Sequence, residues 1–385
     1  MNSTTHPDEL NASRASSSED AVEKLNSELF QKLLPSTIIF TVLICAGLPG
    51  NLLVLLVYLK KFKSSATRVF VVAMAVCDFS ASLLTIPLAI VYFRLMYTIS
   101  GPTFCPAMYF SLSFPIVVSG CILLCVSLDR RRRVCQPFRR QLSPRQATFI
   151  LMFPLGLGVL ATLPFAPFHD GIEFTTSTGL TVRKCSFRQE YPGYIFRQIQ
   201  GGVLVVYATV GLVVLVIAYS RILRRLRFLS QKKRDRLARA VRGVAPQQTA
   251  GNKEAAILGP RDQGNDYKRS DCKECQEKCK PCDRCEKYSS PEGVGGQQQS
   301  PESLSSKTTL MMFVLTVTNA VCLLPYLILA QFHETFYEPH TSAWILNLAT
   351  TCRYLPTLRS TITPVIYLYF NPKFRMDLRK VLTKT

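Results

Sequence analysis

Residues 35–59 read PSTIIFTVLICAGLPGNLLVLLVYL, an apolar run without one Asp, Glu, Lys, Arg or His. A bilayer's hydrocarbon core, about 30 Å thick, needs roughly 20 helical residues to cross it, so this run is long enough. It shows no alternation of period two, which sets it apart from a barrel strand. Pro49 would break a helix in water. In a helix bundle, neighbouring helices satisfy the freed carbonyl and the proline reads as a kink.

A second charge-free run, PTFCPAMYFSLSFPIVVSGCILLCVSL, fills residues 102–128, and comparable blocks lie near 67–93, 147–168, 197–220, 308–332 and 341–369. The chain is 48% hydrophobic and 18% charged, and its apolar residues gather into these seven blocks. The expected fold is an all-α membrane protein, a seven-transmembrane helix bundle. Pro87, Pro115, Pro325 and Pro364 fall inside blocks and are read as kinks. A large soluble protein with buried helices is the alternative, and seven blocks joined by short polar loops count against it.

Charge orients the bundle. The net charge of +21 is not a nucleic-acid footprint, because Lys and Arg collect in alternate loops: Lys60, Lys61 and Lys63; Arg130 to Arg133; Arg221, Arg224 and Arg225; Lys373, Arg375 and Arg379. Short Lys/Arg-rich loops stay in the cytoplasm. The N-terminal stretch is acidic (Asp8, Glu9, Glu19, Asp20) and carries the glycosylation sequons at Asn2 and Asn11. It is expected outside the cell, with the C-terminus inside and the plasma membrane between. No signal peptide precedes the first block, which is expected to act as its own insertion signal. The chain divides into a glycosylated extracellular segment (1–34), spans one to five (35–221), a long Cys-rich cytoplasmic loop (222–306), spans six and seven (307–370) and a tail (371–385). The loop, rich in Gln, Gly, Ser, Pro and charge, reads as disordered.

Of fourteen cysteines, Cys105 and Cys185 fall on the oxidising side and are expected to pair. The bond would favour the fold by a few kcal/mol in the chain-entropy model. Two free thiols are the alternative. Cys272, Cys275, Cys279, Cys282 and Cys285 crowd the long loop. Their spacing is too even for a standard zinc fold, so reduced thiols are expected, with metal binding or lipidation as alternatives.

Short patterns fall one to a span: GLPGN (47–51), MAVCD (74–78), SLDRRRRVCQPF (127–138), IAYSRIL (217–223), CLLPY (322–326), TPVIY (363–367) and then FNPKFR (370–375). In this order they resemble the rhodopsin-like family of G-protein-coupled receptors, over about two thirds of the chain. The resemblance implies a receptor that binds an extracellular ligand and activates a heterotrimeric G protein when the sixth span swings outward. It implies that Asp129 restrains Arg130 at rest and that Arg130 meets the G protein on activation, here with Arg131 in the tyrosine's place. Tyr219 and Tyr367 match two tyrosines that meet through water in the active state, and Pro325 and Pro364 match the kinks of spans six and seven. Residues 370–382 match a short amphipathic eighth helix, with Phe374 and Leu378 toward lipid and Lys373, Arg375 and Arg379 toward headgroups. Arg130 to Arg133 also suit plain headgroup anchors.

The family's pattern is broken in places. Leu323 stands for its toggle tryptophan, Asn319 for the phenylalanine below it, Gly211 for a proline and Thr363 for an asparagine; the fourth-span tryptophan is missing. These departures leave a second reading, a seven-helix protein whose coupling is lost or constitutive.

The resemblance also implies a polar pocket at mid-membrane, formed here by Asn51, Asp78, Ser119, Arg359, Ser360 and Thr363, where the family usually holds sodium. A lone charge at that depth costs roughly 2.5–3.5 kcal/mol, so such charges face inward and pair. Arg359 is expected to be the ionic partner of Asp78 in sodium's place. The alternative turns Arg359 to water or a carbonyl and leaves Asp78 to sodium. At the ligand level, Leu112 stands where amine receptors carry aspartate. Arg94, Tyr109, Leu112, Tyr326 and Arg353 are the candidate ligand contacts, and the two arginines suit an anion; snorkelling to the interface is their other reading. The loop EFTTSTGLTVRKCSF (173–187) looks like strand, turn and strand, as in peptide-binding members of the family. A peptide is the first expectation, a small organic anion the second. No internal repeat suggests a transporter. The four histidines (His6, His169, His333, His340) avoid mid-span, so no enzyme, metal site or cofactor is expected.

Overall fold

The computed structural model describes residues 7–99, 101–176, 179–188, 190, 192–243, 301–331 and 341–383. Asn2, His6, His333, His340 and the cysteines 272–285 lie outside the described residues. Residues 1–230 with 302–385 form one compact unit, and residues 231–301 another.

Helix α1 (Pro7–Lys61) carries the first span and begins well ahead of its apolar run. Val22, Leu25, Leu29 and Leu33 recur at helical spacing and pack into the core at the hairpin end, with Glu19, Asp20, Glu23 and Glu28 left exposed. Asn26 is buried, accepting from the Tyr97 amide (2.9 Å) and donating to Thr98 (3.3 Å). Ser36 and Asn347 bond to each other at 2.6 Å and tie α1 to the seventh span. Asn11 falls on the helical backbone of α1.

The second span is α2 (Ala66–Ser80), a π turn (Ala81–Thr85) and α3 (Ile86–Arg94). Pro87 has no N–H to give the preceding turn, and a widened turn stands there. The third span, α4 (Phe104–Cys135), is the most buried and runs through the middle of the bundle. The fourth, α5 (Pro144–Thr162), starts on a capping box in which Ser143 and Gln146 satisfy each other's amides. A 3-10 turn (Leu163–Phe168) leads into the antiparallel hairpin β1 (His169–Thr175) and β2 (Thr181–Phe187), with Gly171 opposite Cys185. Gly179 takes φ +78°, the left-handed conformation that glycine supplies without strain.

Helices α6 (Gly193–Gly243), α7 (Pro301–Gln331) and α8 (Ala343–Phe370) carry spans five to seven. Six helices are long and apolar enough to cross a membrane by length and composition among the described residues. The seventh, α8, is diluted by Arg353 and Arg359 but has Leu346, Tyr354, Leu358 and Tyr367 buried in the bundle. Ile38, Val42, Leu160, Val206, Ile328 and Val365 are exposed, while Asn51, Asp78, Ser119 and Arg359 are buried. Water would reverse that arrangement; a hydrocarbon solvent requires it.

Two expectations are corrected. Residues 222–243, assigned to a disordered loop, are helical, as are 301–306. The stretch from Arg221 to Val241 is rich in Leu, Arg, Ala and Lys and has neither Pro nor Gly, so nothing local stops the helix. In α9 (Pro372–Leu382) Phe374 does not face lipid. It is 1% exposed and sits between Tyr58 and Tyr367, with Leu378 against the same cluster. Asn371 ends α8, caps α9 by accepting from the Phe374 amide (3.1 Å), and donates to the Tyr58 hydroxyl (3.0 Å). Arg375 turns back to the last carbonyls of α8, Leu368 at 2.9 Å and Tyr369 at 2.7 Å.

Candidate functional site

Three polar stations lie along the bundle. The first is a cavity of about 110 Å³ roofed by the hairpin, which the Cys105–Cys185 disulfide ties to the start of the third span. Tyr109, Leu112 and Ser113 line it from the third span, Arg197 and Gln200 from the fifth, Tyr326 from the sixth and Arg353 from the seventh. The Gln200 side chain donates to the Tyr109 hydroxyl at 2.6 Å. His169 lies face to face on Tyr109, ring centres 3.8 Å apart, with Nδ1 3.1 Å from the Phe165 carbonyl. Burial first, and then the charge of Arg353, push the imidazole down to about 4, against the favourable bond to Phe165.

Of the sequence candidates, Tyr109, Leu112, Tyr326 and Arg353 come together here. Arg94 does not. It is exposed and sits over the Phe30 ring of α1 at 5.5 Å, the snorkelling alternative, because the N-terminal part of α1 offers an aromatic face just where the second span ends. His169, Arg197 and Gln200 were missed. They lie at the hairpin end of the bundle, away from the mid-span depth at which a buried charge stands out in the sequence.

The middle station is the ion pair. Arg359 Nη2 donates to Asp78 Oδ1 at 2.9 Å, and the two side chains are 3% and 2% exposed. Arg359 Nη1 also reaches Thr363 Oγ1 at 3.4 Å. Around the pair, Asn51 donates to the carbonyls of Gly47 (3.0 Å) and Ser360 (3.1 Å). Ser82, which the sequence reading did not single out, bonds to Ser360 at 3.2 Å. Ser119 is buried but donates to the Ile116 carbonyl of its own helix. Removing the carboxylate from such a pair strands the guanidinium at a cost of about 3–5 kcal/mol. Gly50 lets the first and seventh spans meet here: a Cβ on it would come within 2.9 Å of the Pro364 ring.

At the end of the bundle away from the hairpin Asp129 and Arg130 are both buried. Asp129 Oδ2 lies 3.6 Å from Arg130 but 2.8 Å from Arg133, one turn along the helix. The second arginine competes for the carboxylate, and Arg130 instead hydrogen-bonds to Thr67 of the second span. Tyr219 bridges to the sixth span, reaching Thr316 Oγ1 at 2.9 Å and the Met312 carbonyl at 3.1 Å. Tyr367 packs with Tyr58 and Phe374. Pro325 and Pro364 lie inside helices α7 and α8.

A family model described as 7 transmembrane receptor (rhodopsin family) matches residues 50–367. The human type-1 angiotensin II receptor is 30% identical over 190 residues, 46% of this chain and 50% of the receptor. Galanin receptor 2b of Danio rerio is 26% identical over 145 residues, 37% of this chain and 38% of that protein. The chain thus spans about half the length, or less, of the curated relatives it matches.

Proposed function

The chain belongs to the rhodopsin family of seven-transmembrane receptors, and from that premise we propose that it is a cell-surface receptor with its N-terminus outside and its C-terminus in the cytoplasm. It binds an extracellular ligand in the outer cavity and activates a heterotrimeric G protein by outward movement of the sixth span. The relatives named for angiotensin II and galanin favour a peptide. A small organic anion is the second choice, since Arg197 and Arg353 line the cavity and Leu112 offers an amine no counter-charge.

The observation that carries the reading is the buried Arg130, hydrogen-bonded to Thr67 and only loosely paired with Asp129 at 3.6 Å. A guanidinium kept in reserve on a wall that another protein can open suits a trigger better than an anchor. The bond from Tyr219 to Thr316 closes the same wall between spans five and six, and it must break for the sixth span to leave.

The test is exchange of labelled GTP on a panel of Gα subunits by membranes holding the wild type or Arg130→Ala. Exchange above background that Arg130→Ala abolishes supports the proposal. Equal exchange by both sinks it. No exchange on any subunit favours the second reading, a receptor-like bundle without coupling, to which Leu323 and Asn319 in the sixth span point.

A further inference from the structure

Asp78, Asn51 and Ser119 stand where the family usually holds a sodium ion. A hard cation of that kind wants a carboxylate to balance its charge and further oxygens turned inward. Asp78 is the one carboxylate on offer. Among the described residues the buried acids are Asp78 and Asp129, and Asp129 lies roughly 15 Å of helix beyond Ser119 on the third span.

That carboxylate is taken. Arg359 Nη2 stands 2.9 Å from Asp78 Oδ1, a charge-assisted hydrogen bond, and both side chains are shut off from the surface. The hydroxyls are committed too. Ser119 donates to the Ile116 carbonyl, Ser82 donates to the Asp78 carbonyl at 3.0 Å, and Thr363 Oγ1 accepts from Arg359 Nη1. Two oxygens of the cluster, Asp78 Oδ2 and Asn51 Oδ1, make no hydrogen bond, and neither does Arg359 Nε. Bare oxygens alone would invite a cation; the N–H of a permanently charged guanidinium in the same cluster does the reverse. A water molecule can donate to such oxygens and accept from such a nitrogen, whereas sodium serves only the oxygens. At about 5 Å from the guanidinium and an effective dielectric near 20, repulsion weakens sodium binding on the order of a few hundredfold.

We infer that this pocket excludes sodium, that Arg359 is its built-in cation, and that the stability of the bundle therefore does not respond to sodium. Arginine keeps its charge throughout the working range of pH, and here it is fixed to the seventh span, so a change of salt cannot remove it. It also joins the second and seventh spans by a direct side-chain bond. The sodium site is latent. With the guanidinium replaced by a neutral side chain that carries an oxygen, Asp78, Asn51, Ser119 and Thr363 are left as the set a sodium ion needs.

The experiment melts the full chain in lipid nanodiscs and reads unfolding with a thiol-reactive dye at the buried Cys121 and Cys322. Each sample is run in sodium, potassium or choline chloride at one ionic strength, about 0.15 M, so that screening is matched. The wild type is expected to melt at the same temperature in all three, within about 1 °C. Arg359→Asn is expected to melt lower in potassium and choline and to gain roughly 3–6 °C in sodium, the shift given by an ion at about ten times its Kd. Arg359→Lys keeps the cation and should stay indifferent to the salt. Asp78→Asn combined with Arg359→Asn lacks the carboxylate and should also be indifferent. Where Arg359→Asn is too unstable to prepare, Arg359→Gln, with the same amide on a longer stem, replaces it. A wild type that gains in sodium over potassium, with the gain lost in Asp78→Asn, overturns the inference. So does an Arg359→Asn chain indifferent to sodium, because the guanidinium is then not what keeps the ion out. Neither ligand nor G protein enters these melts, so their outcome is independent of GTP exchange.

Discussion

Replacing Asp78 with asparagine leaves the Arg359 guanidinium facing a neutral amide in a place where both side chains are at most 3% exposed. At about 4 Å between charge centres and an effective dielectric near 20, the lost attraction is about 4 kcal/mol. A guanidinium cannot discharge itself, whereas a stranded carboxyl can take a proton. Asp78→Asn should therefore cost about 3–5 kcal/mol, and Arg359→Met less. Asp78→Asn combined with Arg359→Met removes both charges and should recover much of the loss, a coupling of about 2–4 kcal/mol. Thermal unfolding in nanodiscs can be read with a thiol-reactive dye, because Cys121 and Cys322 are buried and free. Midpoints should fall by roughly 10 °C for Asp78→Asn, taking about 2–4 °C per kcal/mol. Single variants that melt with the wild type, or a double variant as unstable as the two losses summed, would show that the contact contributes nothing and refute the reasoning.

Gly120→Ala puts a methyl onto the Tyr207 hydroxyl, which donates to the Val117 carbonyl at 3.0 Å, and should cost about 1–3 kcal/mol in unfolding midpoint; Tyr207→Phe in the same chain should restore part of it. Asn26→Ala removes the buried side chain that accepts from the Tyr97 amide and should lose about 1–3 kcal/mol, read as faster amide exchange at Tyr97. Because His169 is held below its ordinary 6.5, the unfolded chain binds the extra proton. Its share of stability is thus complete above pH 6.5 and falls as pH drops toward 4. His169→Gln should flatten the pH–stability curve there by on the order of 3 kcal/mol. Arg133→Ala frees Asp129 for Arg130 and should lower basal GTP exchange, whereas Asp129→Asn should raise it.

The spans were legible because lipid selects for composition, and a block without charges announces itself. What composition could not show was any helix that continues into water. The N-terminal part of α1 declares itself only by the period of Val22, Leu25, Leu29 and Leu33. The extension of α6 past Arg221 declares itself only by helix-forming residues. The partners of Asp78 were readable, since a guanidinium at mid-depth has few places to go. Contacts between distant segments were not: Phe374 turns inward because Asn371 bends the chain under the bundle, and Arg94 meets an aromatic ring contributed from far upstream. The competition of Arg133 for Asp129 follows from their spacing of four, and a repeated arginine hid it. His169 was passed over because depth was judged from the centre of the membrane.

The unbroken run of α1 from Pro7 to Lys61 makes it a torsion shaft. Each residue in a helix turns the chain by about 100° and advances it by about 1.5 Å. One residue inserted between Leu34 and Pro35 would hold the membrane part in register and swing everything before it a quarter-turn or more. Asn26 would leave the Tyr97 amide and Leu29 would rotate out into water, while deletion of the whole outer segment would merely uncover that seat. The angular phase of the shaft, more than its length, fixes what stands over the mouth of the bundle.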